Sequence, residues 1–104
     1  MHEKEITQKV IDEAQEMGAT EAVRVEVGEL AEISPDEMQE ALEKMTDWEV
    51  RVDYKESKVE CECGYVGRAR IVEKGHGYCI FNCPKCDRKP EVINGGDIKV
   101  IEVD

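Results

Sequence analysis

The amino-terminal part of the chain alternates between helical and extended hydrophobic patterns. From Glu3 to Met17, apolar residues recur at steps of three and four and form one stripe of an amphipathic helix: Ile6, Val10, Ala14 and Met17. Gly18 comes next and suits the left-handed cap at which such a helix ends. Between Ala22 and Val27, apolar and charged residues alternate, and the β-branched valines favour a half-buried strand.

A second helix and a second strand follow. Ser34 is a favourable N-cap, Pro35 suits the first helical position, and Glu37 completes a capping box. Ile33 before the cap can pack onto the next apolar position. The apolar stripe of this helix consists of Met38, Ala41, Leu42 and Met45. From Trp48 to Tyr54 the apolar and charged residues alternate again, which predicts a strand.

The pattern changes after Tyr54, where cysteines and glycines replace periodic apolar residues. This stretch cannot bury a core on its own. After Gly95-Gly96, residues 97–104 predict a last strand with a one-residue slip between its two alternating halves, and we place it in the first sheet. The predicted fold is α+β: two helices packed on a three-stranded sheet formed by residues 1–54 and 96–104. Residues 55–95 are an inserted zinc-ribbon-like module.

Length and charge exclude several classes of protein. The chain has 104 residues, which is too few for a large enzyme core, and we find neither a nucleophile with a paired base nor a phosphate-binding loop. The net charge of −11 disfavours a nucleic-acid partner, although a hypothesis of docking to a more basic protein is consistent with it. No membrane span or signal peptide is recognisable, so we expect a cytoplasmic protein.

Five cysteines in a cytoplasmic chain favour metal binding over disulfides. Two short turns offer paired thiols, Cys61 with Cys63 and Cys83 with Cys86, and four thiolates are a typical ligand set for structural zinc with no open position. The pair Cys61-Glu62-Cys63 needs a local kink, because alternate residues of an extended chain point to opposite faces. Cys79 is either a small buried apolar residue or a substitute ligand.

The amino terminus offers a second set of metal donors. The α-amine of Met1 and the amide and imidazole nitrogens of His2 can form adjoining chelate rings, and Glu3 can add its amide or carboxylate. Such a nitrogen-rich set suits Ni(II) or Cu(II). The alternative is a frayed, solvated terminus. His76, between two glycines, is either an ordinary loop residue or a further donor.

Taken together, these features resemble the HypA family of hydrogenase and urease nickel-incorporation metallochaperones. The resemblance spans nearly the whole chain. It rests on the opening Met1-His2-Glu3, on Val27-Gly28-Glu29-Leu30 followed by Ser34-Pro35-Asp36, on the paired cysteines, and on Gly96-Asp97 to Ile101-Glu102-Val103.

The resemblance implies a protein that transports Ni(II) and delivers it to a [NiFe] hydrogenase large subunit with a GTPase partner. It also implies that Met1, His2 and Glu3 form or adjoin the nickel site, with His76 as a further donor. The paired cysteines would hold structural Zn(II). Family members usually have two residues within the first cysteine pair, whereas one separates Cys61 from Cys63, so Cys79 stays an alternative ligand.

The competing hypothesis is a zinc-ribbon interaction adaptor that carries no transported metal. It predicts one zinc and no specific nickel. For the oligomeric state, the last strand can pair within one chain or be exchanged in a domain-swapped dimer, since Gly95-Gly96 is a suitable hinge.

Overall fold

The computed structural model describes the backbone of residues 2–75 and 78–104, and the side chains of residues 4–75 and 78–104. In this part of the chain the elements are, in order, α1 (His2–Glu16), β1 (Ala22–Gly28), α2 (Pro35–Met45), β2 (Glu49–Lys55), β3 (Lys58–Glu60), β4 (Val66–Gly67), β5 (Arg70–Gly75), β6 (Tyr78–Asn82), β7 (Glu91–Asn94) and β8 (Ile98–Val103). Neither described helix is long and apolar enough to cross a membrane.

The structure confirms the predicted end of α1 and the predicted start of α2. Gly18 has φ +96° after α1, a conformation that glycine adopts without steric cost. At the start of α2 the capping box is present: the Glu37 amide donates to Ser34 Oγ at 3.2 Å and the Ser34 amide donates to Glu37 Oε1 at 3.3 Å. The predicted stripes extend too far at their ends, because Met17 is 47% exposed and Met45 is 42% exposed. Met17 follows the last residue of α1, and Met45 is the last residue of α2.

The first sheet has the strand order β2-β1-β8. β1 runs parallel to β2, which requires a crossover connection, and α2 provides it. β8 runs antiparallel to β1 within the same chain. Its register shifts by one residue between Arg24 and Val25. Arg24 lies opposite Glu102 and Val25 lies opposite Val100, which leaves Ile101 as the extra residue of a bulge. The predicted slip in the last strand is therefore confirmed.

The main core lies between this sheet and the two helices. Its fully buried side chains include Val25 and Val27 from β1 and Met38 and Leu42 from α2. The other buried members are Val10, Ile11, Ala14, Ala19, Val23, Ala31 and Ile33. The opposite face of the sheet is polar, with an ion pair between Arg24 and Asp53. The predicted α+β fold, with two helices on a three-stranded sheet, is confirmed.

The cysteine-containing region forms a second, smaller sheet of order β4-β3-β7 and a hairpin of β5 and β6. Its apolar cluster is small: Val59, Ala69 and Leu30 are buried, with Tyr65, Cys79 and Phe81 packed against them. Leu30 comes from the segment after β1. This region therefore completes its core with a residue from outside residues 55–95, and so small a core agrees with a zinc-ribbon-like module.

A buried and an exposed methionine on α2 allow a matched test of how the core is packed. We expect Met38→Ala to lower the free energy of unfolding by about 2 to 5 kcal/mol, because it leaves a cavity in a fully buried site. Met45→Ala on the same helix should cost much less, since Met45 is 42% exposed. Urea unfolding followed by circular dichroism measures both, and equal losses would contradict the assigned burial.

Candidate metal sites

Four thiols converge at one end of the smaller sheet. The Sγ atoms of Cys61, Cys63, Cys83 and Cys86 all lie within 4.8 Å of one another. The distance between Cys61 Sγ and Cys86 Sγ is 3.4 Å, and that between Cys63 Sγ and Cys83 Sγ is 3.6 Å. Four sulfurs around a tetrahedral zinc ion at a bond length of about 2.3 Å are separated by about 3.8 Å. The cluster therefore has the dimensions and donor chemistry of a structural zinc site.

Two tight turns bring these thiols together. After the first pair, Gly64 has φ +95° and its amide donates to the Cys61 carbonyl at 2.9 Å. After the second pair, Asp87 has φ +62° and its amide donates to the Cys83 carbonyl at 2.9 Å. Each turn reverses the chain so that both of its thiols face the same point. The turn at Glu62 and Cys63, closed by the Gly64 amide, thus supplies the kink that the one-residue gap between Cys61 and Cys63 requires.

Cys79 is not a member of this group. It lies on β6 opposite Lys74 and packs against the small apolar cluster. Burial raises the pKa of its thiol, although the nearby Lys74 ammonium opposes that shift. The structure therefore places Cys61, and not Cys79, with the other three thiols.

Two of the clustered thiols have pKa values shifted in opposite directions. The pKa of Cys86 is lowered to about 7, first because the Arg88 backbone amide donates to its sulfur and then because Cys61 is beside it. For Cys61, the Cys63 backbone amide favours the thiolate, but the Cys86 thiol and burial outweigh it and the pKa rises to about 12. Several thiolates at this spacing repel one another, and a divalent cation among them removes that repulsion.

The predicted nickel donors fall outside the described side chains. Met1 and His76 are not among the described residues, and His2 and Glu3 are described by their backbone alone. What the structure does give is the start of α1, at His2. The assignments of Met1, His2, Glu3 and His76 to nickel therefore stay predictions.

Sequence reasoning missed the role of Glu29, which is a buried carboxylate between the two sheets. Its side chain is 4% exposed. It accepts hydrogen bonds from the Ser57 amide at 3.1 Å and the Ser57 hydroxyl at 2.6 Å, and it forms an ion pair with Arg68. The Arg68 Nε also donates to it at 2.7 Å. A charged residue in an otherwise apolar stretch, between Gly28 and Leu30, was the available signal.

The charge of Glu29 is strongly favoured by these partners. The pKa of Glu29 is lowered from 4.5 to about 2: hydrogen bonding from Arg68 has the largest effect, burial opposes it, and the two Ser57 donors add to the lowering. The pair also raises the pKa of Arg68. Arg68 itself is 56% exposed, so the ion pair lies at the edge of the junction between the sheets and is partly screened.

Known proteins are similar to this chain in sequence and in fold. A family model described as "Hydrogenase/urease nickel incorporation, metallochaperone, hypA" matches residues 1–104. The chain belongs to the HypA family. It is 30% identical over 89 residues to the hydrogenase maturation factor HypA of Methanothermobacter thermautotrophicus, a match that covers 78% of this chain and 73% of that protein.

Other HypA proteins are also similar to this chain, one in sequence and two in structure. The hydrogenase maturation factor HypA of Methanosarcina acetivorans is 26% identical over 120 aligned positions, covering 96% of this chain and 90% of that protein. The solution structure of the Ni metallochaperone HypA from Helicobacter pylori superposes with a TM-score of 0.63 at 17% identity, covering 96% and 93% of the two chains. A second HypA solution structure has a TM-score of 0.55 at 19% identity, covering 100% and 95%.

Membership of the HypA family distinguishes the roles of nickel and zinc in this chain. The chain is a nickel metallochaperone of hydrogenase and urease nickel incorporation, and its four-cysteine cluster fits a structural zinc site. Nickel is its cargo, whereas the cysteine cluster has no position left for an exchangeable ligand once four thiolates bind one ion.

The thiol cluster predicts different effects of two cysteine substitutions. Cys83→Ala should abolish stoichiometric zinc binding, because Cys83 is one of the four convergent thiols. Cys79→Ala should keep one zinc per chain. Mass spectrometry of the purified proteins under native conditions gives both stoichiometries. Loss of zinc in Cys79→Ala together with retention in Cys83→Ala would overturn the ligand set.

The Glu29 pair predicts a dependence of stability on pH. Because its pKa is lowered in the folded state, Glu29 stabilises the fold fully above pH 4.5, and this contribution is lost as the pH falls towards about 2. The loss is up to about 3 kcal/mol. Urea unfolding between pH 6 and pH 3 should show that Glu29→Gln is less stable at pH 6 and flatter in its pH dependence.

Glu32→Gln is the matched control, since Glu32 lies three residues away and is exposed. Its pH dependence should follow that of the unsubstituted protein. Metal content is recorded at every pH, because acid also releases thiolate-bound metal. A Glu29→Gln curve parallel to that of the control would show that the Glu29 charge adds nothing to stability.

Proposed function

We propose that this metallochaperone binds Ni(II) at its amino terminus, through the Met1 amine, the amide and imidazole of His2, and Glu3, with His76 as a further donor. Cys61, Cys63, Cys83 and Cys86 hold a structural zinc ion at a separate site. The observation that carries the proposal is that α1 begins at His2. The first amides of a helix have no intrahelical partner, so the His2 amide can bind a metal without breaking a helical hydrogen bond.

The proposed nickel site is suited to release as well as binding. The imidazole and α-amine have reference pKa values of about 6.5 and about 7.7 to 8.0, so protons compete with nickel in the neutral range. A site of this kind gives up its cargo by exchange of a few ligands with a recipient. Zinc held by four thiolates on two rigid turns exchanges less readily. The two metals thus have different roles, one transported and one structural.

The recipient and partners follow from the family's role in nickel incorporation. We propose delivery to the large subunit of a [NiFe] hydrogenase, together with a nickel-handling GTPase, in the cytoplasm and without catalysis by this chain. The net charge of −11 supports docking to more basic surfaces. We further propose that residues 1–54 with 96–104 form the nickel-binding domain and residues 55–95 the zinc-binding module.

The decisive experiment counts metals in untagged protein that keeps Met1. Mass spectrometry before and after equilibration with Ni(II) should give one zinc and one added nickel per chain. His2→Ala should lose the nickel and keep the zinc, because His2 supplies two of the proposed donors. Gln8→Ala is a suitable control, since Gln8 is exposed on the same helix.

Two outcomes would contradict the proposal. Loss of zinc in His2→Ala would refute the separation of the two sites. One zinc with no specific nickel in the unsubstituted protein would favour the zinc-ribbon adaptor, in which the module only positions partners.

A further inference from the structure

One long edge of the first sheet has no neighbouring strand in the described part of the chain. β2 is the outer strand on that side, and it pairs with β1 over all of its seven residues without a shift in register. The opposite edge differs, because the pairing of β8 contains the bulge at Ile101. A bulge protects an edge from further pairing, whereas a long and regular edge strand is a template for another strand.

Alternate residues of β2 direct their backbone groups away from β1. The Glu49 amide donates to the chain just before β1 and the Lys55 carbonyl accepts from the chain just after it, both at 2.8 Å. Successive residues of a strand direct these groups to opposite sides. The amides and carbonyls of Val50, Val52 and Tyr54 therefore point to the free edge.

Most of these edge groups lack a partner among the described residues. The Val50 carbonyl is the exception, because it accepts a hydrogen bond from Gln39 Nε2 of α2 at 2.8 Å. A strand added at this edge supplies a partner to each group of Val52 and Tyr54, and one of its amides takes the place of Gln39 at the Val50 carbonyl.

The side chains of β2 divide between the two faces of the sheet. Val50 and Val52 lie on the face covered by the helices and pack against the main core, and Tyr54 shares that face by alternation. The open face has charges of alternating sign, in the order Glu49, Arg51, Asp53 and Lys55. Read in the reverse direction, the same strand has the opposite charge at every one of these four positions.

We propose that two copies of this chain pair through β2 in antiparallel orientation, with a two-fold axis at Val52. The two sheets then form one continuous sheet of six strands. Every side chain of β2 lies opposite a suitable side chain of the second copy: Glu49 opposite Lys55, Arg51 opposite Asp53, Val50 opposite Tyr54, and Val52 opposite Val52. Opposite charges and aromatic with β-branched side chains are favourable cross-strand pairs.

The charges select this register over its neighbours. With the axis at Arg51, Glu49 lies opposite Asp53 and the two Arg51 side chains face each other. With the axis at Asp53, Arg51 lies opposite Lys55. Like charges directly opposite are destabilising. A shift of the axis by two residues leaves part of the strand unpaired, so the register at Val52 combines the longest overlap with attraction at every charged position.

The proposed pairing leaves the cysteine cluster uncovered. The paired strands run in opposite directions and the cysteine-containing region follows β2, so the two copies of that region lie at opposite ends of the joint sheet. The net charge of −11 on each copy opposes association. We therefore expect a weak dimer whose population rises with protein concentration.

Glu49→Lys and Lys55→Glu each test the register, because either change replaces two attractive pairs of the dimer by two repulsive ones. Both side chains are exposed, so the fold should persist. Sedimentation equilibrium gives the dissociation constant of the dimer, which should rise at least about tenfold in each single variant. The double variant regains opposite charges and should return close to the unsubstituted value. Lys9→Glu, at an exposed position of α1, is the matched control for Lys55→Glu.

Mixing the two single variants gives a sharper test. The Glu49→Lys chain has lysines at both positions, and the Lys55→Glu chain has glutamates at both positions. Each repels its own copy in the proposed register, whereas a mixed dimer has attractive pairs only. The mixture should therefore associate more strongly than either variant alone. Circular dichroism and zinc content confirm that every variant is folded.

Several outcomes would overturn the proposal. An unsubstituted chain that stays monomeric at every concentration measured excludes the dimer. A dimer that both single variants leave unchanged uses another surface, such as an exchanged last strand. Weakening without recovery in the double variant and in the mixture rules out the register. Equal weakening by Lys9→Glu and Lys55→Glu would show an effect of net charge alone.

Discussion

The junction between the two sheets depends on satisfying one buried charge. A carboxylate that is 4% exposed is costly unless hydrogen-bond donors and an opposite charge surround it, and Glu29 obtains both from Ser57 and Arg68. These partners lie on either side of the first cysteine pair. Folding of that region onto the end of β1 therefore brings the cysteines into a fixed relation with the helices. Gly28 permits the close approach, since a Cβ there would collide with the backbone of Gly95.

The smaller sheet needs this junction and its metal because it buries little apolar surface. Among the described residues, the buried apolar members of its cluster are Val59, Ala69 and Leu30, and Leu30 directly follows Glu29. The same short segment thus provides both the charge and the apolar side chain that attach this region. Four thiols on two turns supply the remaining constraint at the opposite end. A structural ion is a common solution where the hydrophobic core is too small.

Much of the fold is predictable from short stretches of sequence. The capping box from Ser34 to Glu37, the glycine cap after α1 and the bulge at Ile101 are all recognisable, because each depends on residues close together in the chain. The turns at Gly64 and Asp87 are local in the same way. Met17 and Met45 are exceptions: they continue the helical periodicity, yet at the ends of their helices their side chains stay exposed.

The sequence by itself determined the two helices and the three strands of the first sheet, the α+β class, the cysteine pairs and the resemblance that family comparison bore out; it did not predict the five strands of residues 55–95. The tertiary structure decided which thiols meet, placing Cys61 in the cluster and Cys79 in the apolar one. It also paired Glu29 with Arg68, 39 residues away in the chain. Local patterns carry the information for caps, strands and turns, whereas a partner chosen across so long a separation depends on how the whole chain packs.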